Sequence, residues 1–313
     1  MLHEFALDPQ LISDRNSARY FFDACKPEKG RLIAQFPKRW KKLVYEHCRS
    51  IVPEGSSLKY IEERLRNLDA SLVRTSRTYD AQRDWLVNAV ASHSEQPFRA
   101  IISPRPGPGV LPAEVDEDTP VWKTDMCITV ERRSADLTRG CCGLLRYAKE
   151  LIFIDPYFDG SRAQIRVFKA LLAEALSVSG LALDRIEYHV KENRLDNQAY
   201  AQRIENDILP QLPPLLVPIH IIRWQDGSET LHDRYILTDL AGVSIPQGLS
   251  ECRAEESDTT EVSLLSQETF ERRRTQYSAE NDGCFRFVDG WRITNNEIKS
   301  ITIENGEWII SSS

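Results

Sequence analysis

Between residues 149 and 238 short apolar runs alternate with stretches of helical period, and few folds satisfy that order. KELIFID at 149–155 has the character of a buried strand. Residues 161–178 follow with Ile165, Phe168, Leu171, Leu172, Ala175 and Leu176 at helical spacing. RIEYHV at 185–190 predicts a second strand, and a helix at 197–209 is built on Ala201, Ile204 and Ile208. LLVPIHIIRW at 215–224 predicts a third strand, with Pro218 marking an edge or a bulge. LHDRYILT at 231–238 predicts a fourth, and a helix at 136–147 precedes them all. Strand, helix, strand, helix, strand predicts an α/β fold: a βαβ sheet with helices on both faces. Beyond it FRFVD, EIKSITIE and EWIIS predict strands that extend or cap the sheet. Asn305-Gly306 between the last two is a strong hairpin signal.

The first hundred residues differ. Segments 39–47, 57–68 and 79–92 carry helical apolar stripes: Trp40, Leu43 and Val44; Leu58, Ile61, Leu65 and Leu68; Trp85, Leu86, Ala89 and Val90. Ser57 is the expected cap of the second. Residues 103–119 (SPRPGPGVLPAEVDEDT) hold four prolines and two glycines and then turn acidic, which disfavours regular structure. The expected organisation is a mainly helical region at 1–102, a linker or loop at 103–120, and an α/β domain with a C-terminal hairpin at 121–313.

Charge follows the same division. The chain has a formal charge of −7, but residues 1–110 carry 18 basic against 13 acidic residues, and the remainder 22 against 34. Eight basic residues lie between Lys26 and Arg49, among them Lys38, Arg39, Lys41 and Lys42. Such a cluster is either a solvated helix face or a surface facing a polyanion. No apolar stretch reaches the length of a membrane span, and MLHEFALDPQ lacks the basic start and apolar run of a signal peptide. The seven cysteines show no C-x-x-C spacing. A zinc site and a disulfide framework are not expected, and a cytoplasmic location is. No P-loop, dinucleotide glycine fingerprint or metal-binding spacing is present, so no metal and no cofactor is expected.

In α/β sheets, function collects where strands end. Asp155-Pro156-Tyr157-Phe158-Asp159-Gly160, His189-Val190-Lys191 and His232-Asp233-Arg234 all fall beside predicted strand ends. His232, Arg234 and Asp239 fit H-x-[K/R]-x4-D. In that pattern an imidazole attacks phosphorus, a cation two residues on shares its strand face and binds phosphate oxygens, and a carboxylate orients an imidazole. His189, Lys191 and Asp196 fit the same spacing only 43 residues earlier, too close for a duplicated domain. His189 either faces the same pocket or matches by coincidence.

The segment around His232 resembles the HKD motif of the phospholipase D superfamily, with Arg234 in place of lysine. LHDRYILTDLAGVSIPQGL (231–249) and LIFIDPYFDG (151–160) are similar to bacterial phospholipase-D-like proteins found near phage-defence genes. They are also similar to the phospholipase-D-like C-terminal domain of MIT-domain proteins, which shares the H-D-R strand. The resemblance covers about 121–250. Its Gly-Ser and Asn elements are not matched; Ser244, Gln247 and Gly248 stand near those places.

The resemblance implies a metal-independent phosphodiesterase, a nuclease in an anti-phage system, acting through a phosphohistidine. With one such motif per chain, a homodimer would bring two copies of His232 to one site. The alternative it implies is an inert binding subunit for nucleic acid or a protein partner in a larger defence complex; a membrane-surface module is a third. Asp155 is a catalytic candidate or a helix cap. Tyr157 and Arg223 are candidate substrate contacts or core residues. Lys38, Arg39, Lys41 and Lys42 would hold a nucleic-acid backbone.

Overall fold

A computed structural model of the chain describes residues 1–313 except 53–54, 178–182, 194, 254–256, 282, 296 and 312–313. The chain divides into two units, Met1–Met126 and the described residues from Cys127 onward. Among the described residues no helix is long and apolar enough to cross a membrane.

The first unit is not mainly helical. Its elements are β1 (His3–Leu7), α1 (Arg15–Ala24), β2 (Arg31–Gln35), α2 (Trp40–Ile51), α3 (Ser56–Arg66), β3 (Leu72–Arg74), α4 (Trp85–Glu95), β4 (Ala100–Ile102) and β5 (Val110–Leu111). The strands form an all-parallel sheet in the order β3-β2-β1-β4-β5. Side chains alternate across it. Phe5, Leu7 and Ile33 pack with Phe21, Phe22, Trp40 and Trp122 on one face. Ala6, Ala34 and Ile101 pack with Phe36, Trp85, Ala89 and Phe98 on the other. Strands covered on both faces show no polar alternation in sequence, which hides them from a periodicity reading.

The expected helices are present with shifted ends. Gly55, not Ser57, occupies the cap position of α3. The α4 helix begins at Trp85, where the Asp84 carboxylate accepts the Leu86 N–H at 2.8 Å. The 103–120 segment is not a linker between the units. It contributes β5 and the buried Val115, and Trp122 just beyond it is fully buried. Glu117 pairs at 2.7 Å with Arg31, whose guanidinium lies over the Trp122 ring. Arg31 is thus a core residue, although it counted toward the basic surface cluster.

The second unit comprises β6 (Cys127–Glu131), α5 (Ser134–Leu145), β7 (Glu150–Ile154), α6 (Arg162–Ala175), β8 (Arg185–Lys191), α7 (Asn197–Arg203), β9 (Ile219–Asp226), β10 (Tyr235–Thr238), β11 (Gly242–Ser244), β12 (Thr259–Leu264), α8 (Gln267–Gln276), β13 (Phe285–Ile293), β14 (Ile298–Glu304) and β15 (Glu307–Ile310). The ten-stranded mixed sheet has the order β15-β14-β13-β9-β8-β7-β10-β11-β12-β6. β7, β8 and β9 are parallel; the other pairings are antiparallel. Phe153, Phe158 and Phe168 pack around the Tyr188 ring in its core, face-on and edge-on. Ile152, Ile154, Trp224, Phe270, Tyr277 and Phe285 form a separate apolar cluster. Pro218 stands just before β9 rather than inside it, so the strand keeps its hydrogen-bond ladder. The tail extends the sheet through β13, and Asn305-Gly306 joins β14 to β15 with both residues at positive φ.

Candidate functional site

The parallel strands β7, β8 and β9 end at one edge of the large sheet, and antiparallel β10 starts there. Asp155 follows β7, Lys191 closes β8, Asp226 closes β9, and residues 232–234 lead into β10. Sheet topology therefore gathers Asp155, Tyr157, Lys191, His232 and Arg234 at one edge.

Arg234 is held from three sides. Its Nη1 donates to the Pro246 carbonyl at 2.7 Å. Its guanidinium lies 4.5 Å from the ring centroid of Tyr157, which is 55% exposed. Its Nε stands 3.9 Å from Asp155 Oδ1, beyond hydrogen-bond distance. Asp155 is buried and accepts the N–H groups of Tyr157 at 3.1 Å and Leu249 at 3.3 Å. Burial pushes its carboxyl above the ordinary value; those two N–H groups and the Arg234 charge only partly offset the rise. The 245–249 turn closes over this pair. At Gly248 (φ +89°) a Cβ would lie 3.4 Å from Arg234 Nε and 3.6 Å from Asp155 Oδ2. Those are ordinary contacts, so it is the positive φ that favours glycine there.

His232 lies ahead of β10, not in it, so strand alternation does not pair it with Arg234. Its side chain is 63% exposed. Nδ1 stands 3.0 Å from the Thr230 carbonyl and Nε2 3.1 Å from Asp233 Oδ1. Both neighbours are acceptors. Asp233 is held in turn: the Tyr235 hydroxyl donates to its Oδ2 at 2.8 Å, and Arg273 from α8 reaches the same oxygen at 3.1 Å. Burial and the bond to Asp233 push the Tyr235 phenol up to about 12. Lys191 pairs with Asp226 at 2.6 Å, and Asp226 also accepts the Leu231 N–H at 2.9 Å. The bonds from Lys191 and Leu231 hold the Asp226 carboxyl below its ordinary value.

Other expected residues lie elsewhere. His189 is fully buried, and both its ring nitrogens are engaged: Trp224 Nε1–H donates to Nδ1 at 2.8 Å, and Nε2 meets Glu187 Oε2 at 3.1 Å. It faces no pocket shared with His232 in which a lone pair is free. Asp196, from the same spacing match, caps α7 through the Ala199 N–H. Asp239 sits at the far end of β10 from His232 and accepts the Lys149 N–H at 2.7 Å, so it orients no imidazole. Arg223 is buried at 1% exposure against Asp289 and the rings of Tyr200 and Trp291, with Nη1 donating to Leu195 O at 2.8 Å. It is a core cation, not a substrate contact.

Lys38, Arg39, Lys41 and Lys42 belong to the first unit. Lys41 pairs with Asp69 and Lys42 with Glu46, which neutralises half of that group. The residues missed from sequence are Asp233, Tyr235, Asp226 and Arg273. The H-D-R tripeptide held a signal for Asp233: a carboxylate beside the histidine, at a position the spacing pattern leaves unspecified.

Among the described residues no group of three or more His, Cys, Asp or Glu side chains is placed to hold a metal ion. What the edge offers is an exposed imidazole with a fixed carboxylate, and beside it a guanidinium stacked on an exposed phenol. No protein-family model matches the chain, and no curated protein matches it at a significant level.

Proposed function

We propose that this is a phospholipase-D-like protein that binds a phosphate-bearing ligand, nucleic acid above all, at the β7–β10 edge, and that a single chain does not turn it over. The observation that carries this reading is the setting of Arg234: its guanidinium is fixed by the Pro246 carbonyl and stacked on the exposed Tyr157 ring, next to an exposed His232. Arg234 supplies the planar fork suited to phosphate oxygens. The second histidine of the sequence pattern, His189, is committed to the core. The resemblance to defence-associated proteins extends the reading to a binding subunit of a larger defence complex.

The test is fluorescence anisotropy with a labelled single-stranded oligonucleotide. Arg234→Gln is expected to weaken binding about tenfold, the worth of one charge-assisted hydrogen bond. Unchanged affinity in that variant removes the proposal. Because His232 is exposed, a second reading keeps weight: two copies meet at this edge, and one histidine attacks phosphorus while the other protonates the leaving group. It requires oligonucleotide cleavage in EDTA by a dimeric chain, lost in His232→Ala.

A further inference from the structure

The parallel sheet of the first unit reverses its strand order between β1 and β4. In open parallel sheets that reversal leaves a crevice beyond the strand ends where ligands bind. In this chain charged side chains occupy it. Asp8 follows β1 and is fully buried; its Oδ1 accepts the Gln10 N–H at 3.0 Å. Its Oδ2 accepts the Ser103 hydroxyl at 2.7 Å and Arg105 Nη2 at 2.9 Å, both from the segment after β4. Arg105 Nη1 reaches outward to Asp84 at 2.8 Å. Lys38 and Arg39 follow β2, are exposed, and form no ion pair among the described residues. Tyr79 packs on Phe36 and lies within the fields of Arg39, Asp84 and Asp8.

We propose that this crevice is a binding site for a phosphate monoester, separate from the edge in the second unit. The buried Asp8–Ser103–Arg105 contacts act as an anchor that aims the guanidinium. The contact from Arg105 to Asp84 is the exchangeable one, because those side chains are 33% and 48% exposed. A ligand phosphate takes the place of Asp84 on Nη1, and Lys38 and Arg39 balance its charge. The segment after β1 is Asp8-Pro9-Gln10, with no glycine and with one residue that lacks an N–H. The phosphate is therefore held by side chains, not by a glycine-rich backbone cradle.

The experiment is isothermal titration calorimetry of the whole chain with inorganic phosphate, ribose 5-phosphate and AMP. It is run on the wild type and on Arg234→Gln, so that binding at the second unit is separated. A ligand of this crevice binds both chains equally. Lys38→Ala/Arg39→Ala, at exposed positions, is expected to weaken it at least about tenfold, and Arg105→Gln likewise. Asp84→Ala frees the guanidinium and tightens binding. Arg49→Ala, which removes one positive charge at the far end of α2, leaves it unchanged. The proposal is overturned if none of the three probes binds Arg234→Gln, if the exposed double variant binds as the wild type does, or if Arg49→Ala weakens binding as much. Should Arg105→Gln fail to fold, the double variant decides.

Discussion

Residues 189–196 and 232–239 match one spacing pattern and meet opposite fates. In the first, the histidine lies within β8, has no exposure, meets Glu187 through Nε2 and accepts the Trp224 indole N–H at Nδ1. In the second, the histidine sits in the approach to β10, largely in solvent, against a carboxylate the pattern does not specify. Both aspartates at the end of the pattern serve backbone N–H groups: Asp196 caps α7, and Asp239 ties the turn before β7. The pattern selects residue types; burial decides whether an imidazole remains available for chemistry.

The sharpest way to break this contrast is to delete each ring. His189→Ala removes a partner from the buried Glu187 carboxylate and from the Trp224 indole. It is expected to cost about 3 kcal/mol or more of stability in urea denaturation. A loss below about 1 kcal/mol would place His189 with the accessible histidines after all.

A second contrast is in pH. Burial holds the His189 ring below its ordinary value of 6.5, so the native ring resists a proton that the unfolded chain accepts. Stability from this source is present above 6.5 and is lost as pH falls below it. For Glu187, burial favours the neutral acid, but the hydrogen bond from His189 and the charge of Arg185, which donates to Oε1, outweigh it and hold the carboxyl below its ordinary 4.5. That contribution is present above 4.5 and is lost as pH falls further toward the folded value. Below 6.5 the native chain therefore loses at most about 1.4 kcal/mol per pH unit through His189. A His189→Gln chain is expected to lack that slope; an unchanged slope assigns it to another group.

The smaller effects test the second copy. Asp239→Ala is expected to cost about 1 kcal/mol, the worth of its turn hydrogen bond, and to leave oligonucleotide affinity unchanged. A selective loss of affinity would restore Asp239 to the site. His232→Ala should change stability by less than about 0.5 kcal/mol, because its ring is exposed. A larger loss in thermal melts would show that the His232–Asp233 contact is structural.

Legibility followed burial. β7, β8 and β9 were readable because apolar runs alternate there with helical periods. β1 and β2, as short and as buried as β7, were not: charged Glu4 and Arg31 are buried within them, and Arg31 lies in a segment that reads as basic surface. The same snare caught Arg223, a cation expected near a strand end that lies inside β9 and turns inward between Tyr200, Trp291 and Asp289. At the candidate site His232, Arg234, Asp155 and Tyr157 were legible as strand-end residues. Arg273 was not, since only the packing of α8 brings it to Asp233, 40 positions earlier in the chain.

Trp40 and Trp85 stand at the first positions of α2 and α4 and donate their indole N–H groups to the carbonyls of Leu7, at 2.7 Å, and Phe36, at 2.8 Å. Carbonyls at or just past the ends of parallel strands are usual places for water or for a ligand's donors. In this unit the indole N–H groups of two large rings take those places. Recognition in the crevice above them then rests on side chains alone, so its selectivity can change by substitution while the sheet beneath stays as it is.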